Sequence, residues 1–224
     1  MKPIIRSENV VPLLETKFLN VYDLQYEEGK HYFNASRRKA DQLIAVKSDS
    51  DFKQATPDAV TCVVVLDVQN EVAAFEPMLL LSMEYRYPTG QFLLSPPAGL
   101  LDAEDLAAGS LQDALVSATR REILEETGIT LTDADTIRVI NPLLFSSPGM
   151  TDESNALVLA VAHLDSLDSL SQDGAVGSEC FDGFCLLTKE QAMEVLKRGC
   201  DDEGNFFSVY TFAALMYFVT DMWK

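Results

Sequence analysis

The chain is poor in basic residues and carries no mark of a membrane or of an oxidising compartment. Its 224 residues hold 17 Lys and Arg against 35 Asp and Glu, a formal net charge of −18. Binders of nucleic acid or of anionic membranes draw their affinity from Lys and Arg against phosphate, so this balance disfavours both. No apolar run reaches the ~18 residues needed to span a bilayer. The opening residues 1–8 lack the apolar stretch of a secretory signal, and the expected location is the cytoplasm. The four cysteines, Cys62, Cys180, Cys185 and Cys200, have no CxxC spacing. They read as reduced thiols, not as a zinc site or a disulfide framework. The two histidines, His31 and His163, sit in no recognisable motif and read as structural. There is no internal repeat and no low-complexity segment.

What is present is an ordinary globular composition. The hydrophobic fraction of 47% suffices for a core, and 23% charged residues is usual. The length fits one domain with an appendage, or two small domains. Residues 18–26 and 31–38 are β-prone and flank the turn Glu27-Glu28-Gly29-Lys30. Residues 43–46 read as a third short strand. Together they predict a small antiparallel β unit over residues 1–57, and a polar connector, 49–58, closes it. A second domain, 58–224, follows. Strands are expected at 60–68, 78–85, 91–95, 136–145, 156–164 and 184–187. Helices are expected at 111–127, at 189–198 between Thr188 and Gly199, and over part of 206–222. Strands, then helices, then strands again fit an α/β fold with a mixed sheet.

The most informative stretch is Arg121-Glu122-Ile123-Leu124-Glu125-Glu126-Thr127-Gly128-Ile129. On a helix, Glu122, Glu125 and Glu126 share one face. Like charges at those spacings repel, so a helix gains nothing from the cluster unless something positive sits there. Hard cations such as Mg²⁺ take carboxylate oxygens and keep some waters, which suits a platform that polarises a phosphate ester or anhydride. The simpler reading of a Glu-rich face is solvated surface. Upstream, Ser95-Pro96-Pro97-Ala98-Gly99-Leu100-Leu101-Asp102 is a turn-rich segment whose glycine would let the backbone approach a ligand closely.

With these residues in view, the chain resembles the Nudix hydrolase family. The second half of that family's box, Arg-Glu-aliphatic-x-Glu-Glu-x-Gly-aliphatic, is matched throughout from Arg121 to Ile129. The first half departs from it. Asp105 stands where the family has Glu, and fifteen residues separate Asp105 from Arg121 where the family has seven. Eight are thus inserted, around residues 106–113, and Glu104 is an alternative for the first acidic position. Outside the box, Tyr85-Arg86-Tyr87-Pro88-Thr89-Gly90 and Ser147-Pro148-Gly149-Met150-Thr151-Asp152-Glu153 are similar to segments of the ADP-ribose and ADP-sugar pyrophosphatase branch.

The resemblance implies an α/β/α sandwich and hydrolysis of a nucleoside diphosphate joined to another group. For ADP-ribose the products would be AMP and ribose 5-phosphate; GDP-mannose, another nucleotide sugar or a dinucleotide are alternative substrates. A nucleotide-sensing domain without catalysis is the alternative of a different class. The implied cofactor is Mg²⁺, with Mn²⁺ as a substitute, held by Glu122, Glu126 and the carbonyl of Ala98, with Glu125 joining or bridging. Glu153 would orient or deprotonate water, with Asp152 as alternative and a surface carboxylate as the bland reading. Arg121 would orient a neighbouring glutamate. Arg86, beside Pro88 and Gly90, would meet a phosphate or ribose, a solvated strand end being the bland reading, and Gly99 would let the backbone approach the substrate. Phe33 and Arg38 would supply a stacking face and a cation to the nucleotide, although strand-face packing is the simpler role. The N-terminal unit resembles the part that this branch exchanges in a homodimer.

Overall fold

A computed structural model describes residues 3–69, 75–107 and 109–224. By its contacts the chain divides into two compact units, Met1–Asp58 with Leu143–Asn155, and Ala59–Pro142 with Ala156–Lys224.

The first unit is built on a three-stranded antiparallel sheet of β1 (Val10–Glu15), β2 (Asn20–Glu27) and β3 (Lys30–Ser36), in that order. The hairpin turns at Gly29, whose φ of 70° suits glycine. Its small core is Val10, Tyr22, Leu24 and Leu43, with Ile5, Ala40, Ala45 and Val46 against them. The short helix α1 (Asp49–Phe52) follows, capped by the Ser48 side chain. The third strand is not at residues 43–46. Leu43 is a buried plug, and Ile44–Val46 is a 3-10 turn whose first N–H donates to the Asp152 carboxylate at 3.0 Å instead of joining a ladder. The strand is β1, an edge on which Pro12 is tolerated because no partner needs its missing donor. Segment 143–155 joins this unit through a parallel bridge between Ala35 and Thr151, with Ala35 N donating to Met150 O at 3.0 Å.

The second unit carries β4 (Ala59–Val68), β5 (Met78–Arg86), β6 (Gln91–Ser95), β7 (Ala98–Leu100), α2 (Ala103–Leu106), α3 (Leu111–Thr127), β8 (Thr136–Phe145), β9 (Ser154–Leu164), β10 (Phe181–Leu187), α4 (Lys189–Arg198) and α5 (Val209–Val219). The ends of β8 and β9 run into the first unit. The sheet order is β10-β5-β4-β9-β8, with β6 beside β5 and β7 beside β4. The fold is mixed α/β. β4 is buried on both faces, as its largely apolar run requires. Val60, Cys62, Val64 and Leu66 pack with Leu115, Ala118 and Ile123 of α3. The alternate residues Val63 and Val65 are equally inaccessible, and α5 lies against β4 and β6. Each such valine contributes roughly 1.5–3 kcal/mol by leaving water.

α3 forms where its sequence directs. Ser110 accepts from Asp113 N, and the Asp113 carboxylate accepts from Ser110 N, a reciprocal cap that satisfies two free donors. Gly128 ends the helix at φ 75°, and a Cβ there would stand 2.7 Å from Ser169 O. Of the inserted segment, Leu106 closes α2 and residues 111–113 begin α3; residue 108 lies outside the described residues. Among the described residues no helix is long and apolar enough to cross a membrane.

Candidate active site

α3 turns two of its three glutamates inward. Glu122 is 4% exposed and Glu126 is 3% exposed, both beneath β7. Glu126 Oε1 accepts from Ala98 N at 3.3 Å. A Cβ on Gly99 would fall on the Glu122 carboxylate, so only glycine fits there. The close approach expected at Gly99 is thus to Glu122, a neighbour within the fold. β7 is held over the helix by pairing with β4, Val60 opposite Gly99 and Thr61 opposite Ala98.

Burial makes these carboxylates costly to ionise. It pushes Glu122 up to about 7, against the pull of Arg121 and with further upward pushes from Glu125 and Glu179. It pushes Glu126 well above the usual range, with repulsion from Glu84, Glu122 and Glu179 adding to it. Glu84, on β5, is raised as well, by burial first, while Arg86 and a hydrogen bond from Ser95 oppose the shift. Cys62, beneath this cluster on β4, has its thiol raised by burial and by Glu126 and so stays protonated.

Arg121 is the local cation. Its Nη1 donates to Glu122 Oε1 at 2.6 Å and to Glu125 Oε2 at 3.3 Å. Its Nη2 donates to Leu100 O and to Asp105 Oδ2, both at 2.9 Å. Asp105 is buried and also accepts from Ser117 Oγ at 3.0 Å and from Asp102 N at 2.9 Å. Burial alone would raise Asp105, but those donors outweigh it and hold the carboxyl below its ordinary value. Of the two candidates for the first acidic position, Asp105 is the one that meets Arg121. Arg121 in turn orients Glu122 and Glu125. Glu125 stays partly exposed.

The donor set suits a hard divalent cation in kind. The face of α3 under β7 holds carboxylate oxygens, buried and short of positive charge, since one guanidinium serves several carboxylates. The side chains do not converge as they stand. Among the described residues no three His, Cys, Asp or Glu side chains form a group that could hold a metal ion. Glu122 has one oxygen on Arg121, and Glu126 has one on Ala98 N. A cation would draw on their remaining oxygens.

The other expected residues belong to the first unit or are otherwise engaged. Arg86 ends β5 and pairs with Glu84 Oε2 at 2.5 Å. Phe33, in the first unit, is 61% exposed. Arg38 corrects its expectation: it is an internal clamp. Its Nη1 meets Asp58 Oδ2 at 2.8 Å and Asp152 O at 2.9 Å, and its Nη2 donates to Thr56 O at 3.1 Å. A guanidinium committed to that many internal acceptors is not free for a ligand. Glu153 lies in the first unit, where Arg37 Nε donates to its Oε1 at 2.6 Å. Asp152 is buried beside Ile44 N. His31 pairs with Asp23 and His163 with Asp67. Sequence reasoning missed Glu84. Its signal was an acid within the apolar run of β5, where burial demands a partner.

No protein-family model matches the chain. Over 107 residues it is 30% identical to an uncharacterized Nudix hydrolase of Schizosaccharomyces pombe, a match covering 48% of this chain and 44% of the relative. Over 106 residues it is 32% identical to a Caenorhabditis elegans protein named as nudix hydrolase 2, covering 47% and 40% respectively. The chain thus spans less than half the length of the curated relatives it matches. The crystal structure of an ADP compounds hydrolase superposes with a TM-score of 0.55 at 19% identity, over 100% of this chain and 94% of that one. That likeness concerns the fold. With the box on α3, the chain is similar over about half its length to these Nudix hydrolases.

Proposed function

We propose that this chain is a divalent-cation-dependent hydrolase that splits the diphosphate of a nucleoside diphosphate linked to a sugar, ADP-ribose first, giving AMP and ribose 5-phosphate. The observation that carries the reading is the burial of Glu122 and Glu126 against Ala98 and Gly99 with too little positive charge to balance them. Stability alone gives no reason to keep two such carboxylates together; a site for a cation does.

Glu122 and Glu126, with Glu125 and the Ala98 carbonyl, would hold Mg²⁺ or Mn²⁺. When bound, the ion supplies charge neutralisation of the diphosphate and an acidified water. The chain's own residues do the rest. Arg121, locked by Asp105 and Leu100 O, sets the rotamers of Glu122 and Glu125. Arg86, the cation of β5, would turn from its pairing with Glu84 to an anionic substrate, which a chain of net charge −18 must attract locally. Glu153 remains the proposed base that aligns water. Homodimerisation through the first unit is part of the same reading, supported by the apolar residues Leu13, Leu14, Phe18 and Phe33 that this unit leaves exposed. So is a cytoplasmic location.

The test is a substrate panel with Mg²⁺: ADP-ribose, ADP-glucose, GDP-mannose, NADH and diadenosine polyphosphates, scored for phosphate-bearing products. Preference for ADP-ribose supports the proposal. Preference for GDP-mannose reassigns the base and sugar. No turnover of any of them, with tight binding of one, turns the reading into a sensor domain.

A further inference from the structure

The second unit contains a cavity of about 680 Å³, within the range of ligand pockets. It lies on the face of the sheet turned away from the glutamates of α3. Glu84 of β5 presses on Glu126, and its neighbour Met83 points the other way, into the cavity. Phe92 of β6 stands opposite Tyr85, and Cys185 of β10 stands opposite Leu81. Both therefore share the face of Met83, because side chains alternate. Leu187 of β10 joins them, and α4 closes the space with Val195. The floor is apolar and carries one aromatic ring.

The rim is acidic. Asp182, Glu190, Glu194, Asp201, Asp202 and Glu203 line it against one guanidinium, Arg198, which already pairs with Asp202. Glu194 is taken by Lys197. Asp201 shapes the loop between α4 and α5, accepting from Asn205 N at 2.8 Å and from Asn205 Nδ2 at 2.9 Å. The carboxylates of Asp182, Glu190 and Glu203 have no ion pair and no hydrogen bond among the described residues. They come from β10, from the first turn of α4 and from the α4–α5 loop, three separate elements around one space. The charge reaches the floor: the Cys185 thiol is pushed up to about 11, by burial first and then by Asp201, Asp202 and Glu203.

On a flat surface these acids would be ordinary solvated charge. Here they ring an apolar floor, and that combination selects a ligand. An anion is repelled. A single metal ion does not fit, because among the described residues no three His, Cys, Asp or Glu side chains form a group that could hold one. A cation with charges spaced along an apolar stem fits both parts. We propose that this cavity binds a linear aliphatic polyamine. Its methylene stem covers Met83, Leu187 and Val195, its ammonium groups reach the separate carboxylates of Asp182, Glu190 and Glu203, and one lies near the ring of Phe92. The proposal does not rest on the hydrolytic reading.

Calorimetric titration of spermine into the full chain, in metal-free buffer at about 0.15 M salt, tests it; general attraction to an acidic surface is largely screened there. The expected result is saturable one-to-one binding, at least tenfold tighter than that of putrescine, which is shorter and carries fewer charges. The double variant Glu190→Gln with Glu203→Gln should weaken binding at least tenfold, and Phe92→Ala at least threefold. Both glutamates are exposed, so the double variant keeps its fold, which circular dichroism checks. Glu8→Gln with Glu28→Gln removes the same charge from exposed positions of the first unit and should change the affinity less than twofold. No saturable binding of spermine, unchanged binding in the cavity double variant, or equal weakening in the first-unit double variant would overturn the assignment. Capture of a lysine-rich peptide with spermine failing to bind would also overturn it, in favour of a protein partner.

Discussion

Each unit buries a cluster of charge, and the two clusters are balanced differently. In the first, Arg38 spends its guanidinium on Asp58, Asp152 O and Thr56 O, and Ser154 N and Oγ donate to the same Asp58 carboxylate. In the second, Arg121 faces Glu122, Glu125, Asp102 and Asp105, while Glu126 and Glu84 press on the same space. In the first cluster Arg38 and Ser154 oppose the upward push of burial on Asp58, and the cluster holds chain segments together. The second carries an excess of negative charge. A matched buried pair is what a fold needs; an unmatched one is what a ligand of opposite charge needs.

The sharpest way to break this comparison is to remove one side of the matched cluster. Arg38→Ala should cost about 3–5 kcal/mol, because Asp58 would be left buried and unpaired. Chemical denaturation measures it, and a loss under 1 kcal/mol would mean that the clamp is not structural. The opposite cluster should behave in the opposite way. Glu126→Gln keeps an acceptor for Ala98 N but removes a charge, so it should lower metal-dependent turnover about 10³-fold, or ~4 kcal/mol, without lowering stability. Full activity in that variant would end the case for a cation platform.

pH should separate the clusters next. The carboxyl of Glu122 titrates near 7 in the folded chain, above its ordinary 4.5. Its contribution to stability is therefore complete below the unfolded value and lost as pH rises through about 7. In EDTA the loss should be on the order of 3 kcal/mol between pH 4.5 and 8. Added Mg²⁺ should restore melting temperature at pH 8 and do little at pH 5; equal effects at both would contradict the charge excess. Glu153→Gln should reduce kcat by ~10²-fold with little change in KM, as expected for a general base. An unchanged kcat in steady-state assays moves that role to another residue. The smallest effect should come from Gly99→Ala. Its new methyl meets the Glu122 carboxylate, and overpacking of this kind costs about 1–3 kcal/mol. A melting temperature equal to that of the parent would show that Glu122 has room to move.

Much of the second unit was legible from the residues. α3 runs Leu111–Thr127 because Ser110 and Gly128 punctuate it, and β6 and α4 likewise fall where turn residues and caps direct. The Glu122, Glu125 and Glu126 spacing announced a charged face before any coordinates. Local chemistry was enough there, since caps, periodicity and glycine conformations depend on neighbours in sequence.

The rest depended on contacts across long separations. Nothing in Val10–Glu15 announces a strand until β2 lies beside it, and nothing in Leu43 distinguishes a core plug from a strand residue. Arg38 reads as a free cation until Asp58 and the backbone at Asp152, 114 residues on, close around it. Asp105 reads as a defect in the box until Arg121 is seen to need it. Sequence spacing set which glutamates share a helical face. Which of them would be buried, repelled and raised in pKa was settled by β7 and β4 packing on α3, because desolvation belongs to the assembled fold and not to any one segment.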